Sequence, residues 1–288
     1  MIQGELFEKE NNLDVVLPAS FLSEILRSIN VRGFSVVALE FQDNCIRVRS
    51  FSEDGTEYLH VVGTHENMTI NNAGYLIAPV TDFISGLQKF SGNVNIKWES
   101  GEKIFIYDTI NSKMNIEFPP KSLSELSGVP EEDKIYPRNG DGLLQFPLRE
   151  NGKWVKDDSG NNVMEPCATR VIVTPTELMK GIFDMGIAKA QYVIYNFSEN
   201  ESYSSSGKYY QKGGQSGSPI IADVDGEDVE IVIPAIIKEI LGVMKDGSIE
   251  IQADKRYAMV FVISEKGDEN YTICTTFGIV QFNPEPTE

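Results

Sequence analysis

The chain has 288 residues, enough for two domains each with its own core, and its 41% hydrophobic and 24% charged content is that of a soluble globular protein. No run approaches the ~20 apolar residues of a membrane span, and no basic stretch followed by an apolar one opens the chain, so an intracellular protein with no membrane role is expected. The net charge of −18 argues against nucleic acid only if acids and bases are evenly spread.

Residues 15–27 read as an apolar strand, Pro18, and an amphipathic helix whose Leu22, Ile25, Leu26 and Ile29 share one face. Three strands follow, Phe34 to Phe41, Cys45 to Phe51 and Tyr58 to Val62, separated by the turn signals Gln42-Asp43-Asn44 and Ser52-Glu53-Asp54-Gly55. The order then repeats. Tyr75 to Ala78 runs into Pro79, a helix carries Val80, Phe83, Ile84 and Leu87 on one face, and strands are expected at Val94 to Glu99, Lys103 to Asp108 and Lys113 to Phe118. From Pro119 to about Pro166 the composition shifts to Pro, Gly, Ser, Asn and charge, a connector long enough to suggest a role of its own, with Leu143 to Leu148 and Trp154-Val155 as hairpin candidates.

The third copy has the sharpest helix start: Thr174 as N-cap, Pro175 at the first helical position and Glu177 three residues after Thr174 form a capping box. Leu178, Met179, Ile182 and Phe183 are expected inward, followed by a strand at Tyr192 to Phe197. The Ser-, Tyr- and Gly-rich stretch from Glu199 to Ser218 leaves the strand count open. The fourth copy runs from Glu230 to Pro234 into a helix with Ile233, Ile236, Ile237, Ile240, Leu241 and Met244 inward, then strands at Ser248 to Ala253, Tyr257 to Ser264 and Tyr271 to Phe277.

Proline cannot donate to a sheet ladder and is favoured at the first helical turn, so each of the four prolines marks a strand end and a helix start. The interval from Pro18 to Pro79 nearly equals that from Pro175 to Pro234, while Pro79 to Pro175 is half as long again. The pattern implies an α+β chain of two similar domains, each a duplicated βαβββ unit, with bounds 1–119, a connector 120–166, and 167–288 including a short tail.

Three cysteines, Cys45, Cys167 and Cys274, are widely separated and odd in number, which signals neither a disulfide framework nor a zinc site. His60 and His65 are too few and too close for most metal or acid–base constellations, and neither a metal nor another cofactor is expected. Gly213-Gly214-Gln215-Ser216-Gly217-Ser218-Pro219 is similar to the nucleophile segment of trypsin-like hydrolases, but a nucleophilic serine needs a base oriented by a carboxylate and no catalytic box surrounds either histidine. No phosphate-binding glycine loop of the Gly-x-x-x-x-Gly-Lys type occurs. The chain is read as a non-enzyme.

The charges are not evenly spread. The four helices with their C-terminal turns carry Arg27, Arg32, Lys89, Lys180, Lys189, Lys238 and Lys245 against Glu24, Asp82, Glu177, Asp184, Glu239 and Asp246, so all the excess acid lies elsewhere. The helix macrodipole, which favours acids early and bases late, would by itself produce part of this pattern.

A doubled βαβββ unit in each of two domains, with an acidic exterior and helices relatively rich in base, resembles the sliding DNA clamps: the proliferating cell nuclear antigen family and the trimeric phage-type processivity clamps. The stretches that carry the resemblance are Phe34 to Ile46, the connector, and Thr275 to Val280, although the connector is longer than the family's loop and 199–218 has no counterpart. The resemblance implies the DNA-clamp fold, a homotrimeric ring with helices inside and sheets outside, sequence-independent contact with double-stranded DNA, and partners that include a DNA polymerase and an ATP-dependent clamp loader. It makes the seven basic helix residues the DNA-facing set. It also implies a partner-peptide groove at Phe41, Cys45, Ile135, Tyr136, Phe277 and Ile279, and a subunit interface between a strand carrying Met114, Ile116 and Phe118 and one near Ser206 to Gln211 carrying Tyr209 and Tyr210. Two alternatives remain: a viral structural or assembly protein, and a subunit of a mixed, checkpoint-type clamp.

Overall fold

The computed structural model describes residues 12–52, 54–99, 103–111, 115–119, 136–150, 153–188, 191–207, 217–245 and 247–281. The first quarter of the molecule comprises β1 (Asn12–Pro18), α1 (Ala19–Ser28), β2 (Val36–Gln42), β3 (Cys45–Phe51) and β4 (Glu57–His65). The second comprises β5 (Thr69–Asn72), β6 (Gly74–Pro79), α2 (Val80–Leu87), β7 (Asn93–Glu99), β8 (Ile104–Asp108) and β9 (Asn115–Phe118). Four short connector strands follow: β10 (Gln145–Pro147), β11 (Arg149–Glu150), β12 (Lys153–Trp154) and β13 (Met164–Pro166). The third quarter is β14 (Thr169–Val173), α3 (Pro175–Ala188), β15 (Tyr192–Phe197), β16 (Ser202–Gly207) and β17 (Ser218–Ile220). The fourth is β18 (Ala222–Gly226), β19 (Val229–Pro234), α4 (Ile237–Val243), β20 (Ile249–Ala253), β21 (Met259–Gly267) and β22 (Tyr271–Val280).

The two halves thus share one element order, with β5 and β18 as a short extra strand between the copies. In the stretch 199–218, where the strand count was open, the described residues hold β16 and the first residue of β17. At three of four junctions the proline ends the strand as expected but lies outside the helix that follows. Pro18 (φ −63°, ψ 129°) and Pro79 (φ −71°, ψ 106°) are extended N-caps that finish the strand, and α4 starts only at Ile237, after Pro234 has closed β19. Pro175 alone is the first helical residue.

Two compact units divide the chain: 1–131 with 239–247 and 263–278, and 132–238 with 248–262 and 279–288. In the first, one sheet has the order β5-β1-β7-β8-β9, and a second runs from residues 271–278 of β22 through β4, β3 and β2 to β6. Leu22, Ile25 and Leu26 of α1 and Ile29 just past its end are fully buried, as their spacing predicts, and Gly63 lets α1 approach β4 so closely that a Cβ there would stand 2.6 Å from Ile25 Cδ1. Asp43 and Asn44 turn the chain between β2 and β3 with φ of 50° and 58°, the left-handed geometry that a two-residue hairpin requires.

In the second unit, β18, β14, β20 and residues 259–262 of β21 form one sheet and β17-β16-β15-β19 another. The described part of the connector is an ordered extension of this unit. β10 pairs with β13 and β11 with β12. Phe146 stacks on Tyr257 (4.5 Å between centroids), Tyr136 meets both Phe146 and Phe261, and Tyr257 Oη donates to the Pro147 carbonyl at 2.8 Å. Asp254 accepts from Arg256 at 2.5 Å and Arg256 also reaches Glu165. Burial opposes the charge on Asp254, yet the Arg256 bonds hold its carboxyl below the usual range. Cys167 is buried with its thiol pushed up to about 11 by desolvation, and burial also raises Cys45.

Candidate nucleic-acid interface

Arg27 Nη1 lies 3.6 Å from Glu24 Oε1 one helical turn back, and Lys266 Nζ reaches the same carboxylate. Arg32, just past α1, donates its main-chain N–H to Glu239 Oε2 (3.0 Å) while its Nε stands 3.8 Å from Oε1. Arg27 and Arg32 are both well exposed, and exposed pairs of this kind contribute little and exchange readily, so both cations can turn to a phosphate. Lys89, Lys238 and Lys245 are exposed. Lys189 lies outside the described residues.

α3 departs from its expected face. Leu178, Gly181, Ile182 and Met185 point inward, whereas Met179 is 37% and Phe183 70% exposed. The cause is Gly181: a Cβ at that position would meet Val193 at 2.6 Å, Ser204 at 2.8 Å and Tyr195 at 2.9 Å, so the sheet approaches closest there and the apolar stripe is centred one position round the helix. A glycine three residues after Leu178 was the available signal. Lys180, expected to face DNA, is held by Glu177 Oε2 at 2.7 Å and by the Pro219 carbonyl at 3.2 Å.

The groove residues also need correction. Phe41, Phe277 and Ile279 are core side chains, at most 1% exposed, and Phe277 packs edge-on against Phe34 with centroids 6.0 Å apart. The resemblance placed them by position along their strands, and the strand alternation turns them inward. Cys45 is nearly buried, Tyr136 is engaged with Phe146 and Phe261, and Ile135 lies outside the described residues.

Of the interface candidates, Ile116 is half-buried and Phe118 stacks on Phe83 with centroids 4.2 Å apart; Met114, Tyr209 and Tyr210 lie outside the described residues. Among the described residues β9 is an outer strand of its sheet, with β5 at the opposite edge. β16 is an inner strand, paired with β15 and β17, so among the described residues the outer strand on its side is β17, the sheet's other outer strand being β19.

His65 serves the fold. Its ring stacks on Tyr271 at an interplanar angle of 8° and its Nδ1 accepts the Asn67 N–H at 3.0 Å, which leaves it unsuited to the hydrolase role considered for Gly213 to Pro219. Gly213 to Ser216 lie outside the described residues. No helix among the described residues is long and apolar enough to cross a membrane.

A doubled βαβββ unit, twice over, with two sheets per half is the sliding-clamp fold, and this chain has it. The PCNA2–PCNA3 complex of Sulfolobus tokodaii matches with a TM-score of 0.61 and 12% identity, covering 93% of this chain and 98% of that one. A. fulgidus PCNA, solved with the C-terminal region of FEN-1, matches with a TM-score of 0.61 and 12% identity over 95% and 99% of the two chains. The DNA polymerase III beta subunit of Thermotoga maritima gives a TM-score of 0.66 and 13% identity, covering 98% of this chain and 68% of that longer one. No family model and no curated protein sequence matches the chain. At these identities the likeness is one of fold.

Proposed function

We propose that the protein is a sliding clamp, a non-catalytic ring of three copies that encircles duplex DNA and tethers a DNA polymerase and other replication or repair proteins. The observation that carries this reading is an unused pairing. In the doubled scheme β22 and β9 are equivalent last strands, as are β4 and β17. β22 already lies beside β4 within the first unit, while β9 and β17 are both outer strands. A β9-to-β17 pairing between copies would repeat in trans the junction that the chain already makes in cis. The domain bounds 1–119 and 167–288, with 120–166 between them, fit that scheme.

A clamp must hold duplex without reading it, so phosphate contacts suffice. Arg27, Arg32, Lys89, Lys238 and Lys245, with Lys189, supply them in this reading. Ring opening by an ATP-dependent loader fits a chain that has no nucleotide loop of its own. Light scattering at several concentrations tests the assembly, with a mass of three chains expected. Retention on circular but not linear DNA tests encirclement. A chain that stays monomeric alone but joins a second clamp-type chain would instead favour a mixed ring, for which the Sulfolobus tokodaii complex of two different clamp chains is the precedent.

A further inference from the structure

The capping box at the start of α3 is only half used as one. Thr174 Oγ1 accepts the Glu177 N–H at 3.3 Å, the expected cap bond. The Glu177 carboxylate then turns outward, where its Oε2 accepts the Ile221 main-chain N–H at 2.8 Å and Lys180 Nζ at 2.7 Å. Lys180 Nζ in turn donates to the Pro219 carbonyl at 3.2 Å. Two side chains one helical turn apart therefore engage the main chain at two positions of the same strand end.

Those positions are the ones an incoming strand needs. β17 pairs with β16 as Ser202 to Ile220, Tyr203 to Pro219 and Ser204 to Ser218. In an antiparallel ladder, alternate residues direct their N–H and C=O to the same side. Pro219 has no N–H to give β16, so Ser218 and Ile220 face that partner while Pro219 and Ile221 face the open side. The open-side carbonyl of Pro219 and the open-side N–H of Ile221 are the groups taken by Lys180 and Glu177. The carboxylate stands in for a strand carbonyl and the ammonium for a strand N–H. Proline and charged side chains on an outer strand are the devices by which exposed edges are kept from pairing.

We propose that Glu177 and Lys180 are an edge guard: they occupy the outward hydrogen-bonding groups of β17 and limit strand addition there by a second copy of this chain. Ring closure through β9 must then displace the pair or begin on the N-terminal side of Pro219. Lys180 belongs to this guard and not to the phosphate-contacting set. The edge and its occupants are features of the single chain, so the guard stands independently of any DNA role; only the identification of the incoming strand as β9 rests on the clamp reading.

The test is sedimentation equilibrium of the full chain and of the double variant Glu177→Ala, Lys180→Ala, with Thr174→Ala as a control that weakens the cap of α3 and leaves Pro219 and Ile221 engaged. The double variant is expected to self-associate about ten-fold more tightly, roughly the worth of one net hydrogen bond, while Thr174→Ala leaves association unchanged. Amide exchange at Ile221 in dilute, monomeric samples should quicken in the double variant alone. Unchanged or weaker association of a variant that still melts cooperatively would overturn the guard and make the pair a strut. If the variant proves too unstable to weigh, unaltered Ile221 exchange in Glu177→Met, Lys180→Met, which has no side-chain acceptor for that N–H, would overturn it equally. A wild-type chain that stays monomeric refutes the homotrimer but leaves the guard testable, since a rise in the variant's mass supports it and no rise defeats it.

Discussion

β4 and β17 occupy equivalent places in the two halves of the molecule and have opposite fates. β4 spans nine residues, buries Tyr58, Leu59 and Val61, and lies between β3 and β22. β17 spans three, carries a proline at its centre, and has β16 on one side and the Glu177–Lys180 pair at its open end. A strand with neighbours on both sides can be long and apolar because its main-chain groups are matched all along. An outer strand with the same ancestry in the pattern is short, proline-bearing and flanked by charge, since unmatched apolar edges invite indiscriminate pairing.

The largest perturbation of this contrast strips the cover from β4. Phe277→Ala in β22 removes a fully buried ring packed on Phe34 and is expected to cost about 3–5 kcal/mol in denaturant unfolding. A loss below ~1 kcal/mol would return Phe277 to a surface role. On the β17 side, Gly181→Val forces a side chain into the contact of α3 with Val193, Ser204 and Tyr195 and should cost about 1–3 kcal/mol; an unchanged melting temperature would mean that α3 can lift from its sheet freely.

The strand–proline–helix junctions were legible because each rests on local chemistry: a missing N–H, a fixed φ, an apolar stripe. The inward faces of α1 and α4 followed from spacing alone. The face of α3 did not, because hydrophobicity cannot weigh a glycine, and Gly181 is where the helix touches its sheet. Nor did the resemblance place Phe41 and Phe277 correctly, because a position along a strand does not say which side of that strand is covered. The partners of Glu177 were out of reach as well, since Ile221 is distant in sequence and its N–H carries no side-chain signature.

Smaller effects sharpen the comparison. Thr174→Ala removes the cap from α3 and should cost about 1 kcal/mol, whereas α1 and α2, capped by prolines without a side-chain bond, offer no equivalent site. A stability loss near zero would mean that water replaces the hydroxyl. The smallest effect is one of pH. Bonds from Lys180 and from the Ile221 N–H hold the Glu177 carboxyl below its ordinary 4.5. A depressed folded-state value means that the stabilisation is present above the unfolded pKa and is lost as pH falls through the folded one. Ile221 amide protection should therefore fade only as pH falls below the ordinary 4.5, relative to neighbouring amides, and protection that stays flat through acid pH would detach Glu177 from β17.

One consequence concerns symmetry. A contact between β9 of one copy and β17 of the next is heterologous: each copy gives one kind of edge and receives the other. Such contacts propagate, closing into a ring when the rotation between copies divides a full turn and growing into an open helical filament when it does not. In the proposed assembly every junction needs one strand of each kind, so a guard on β17 acts at each of them. A proline and one ion pair, placed once in the chain, therefore recur at every junction of that assembly.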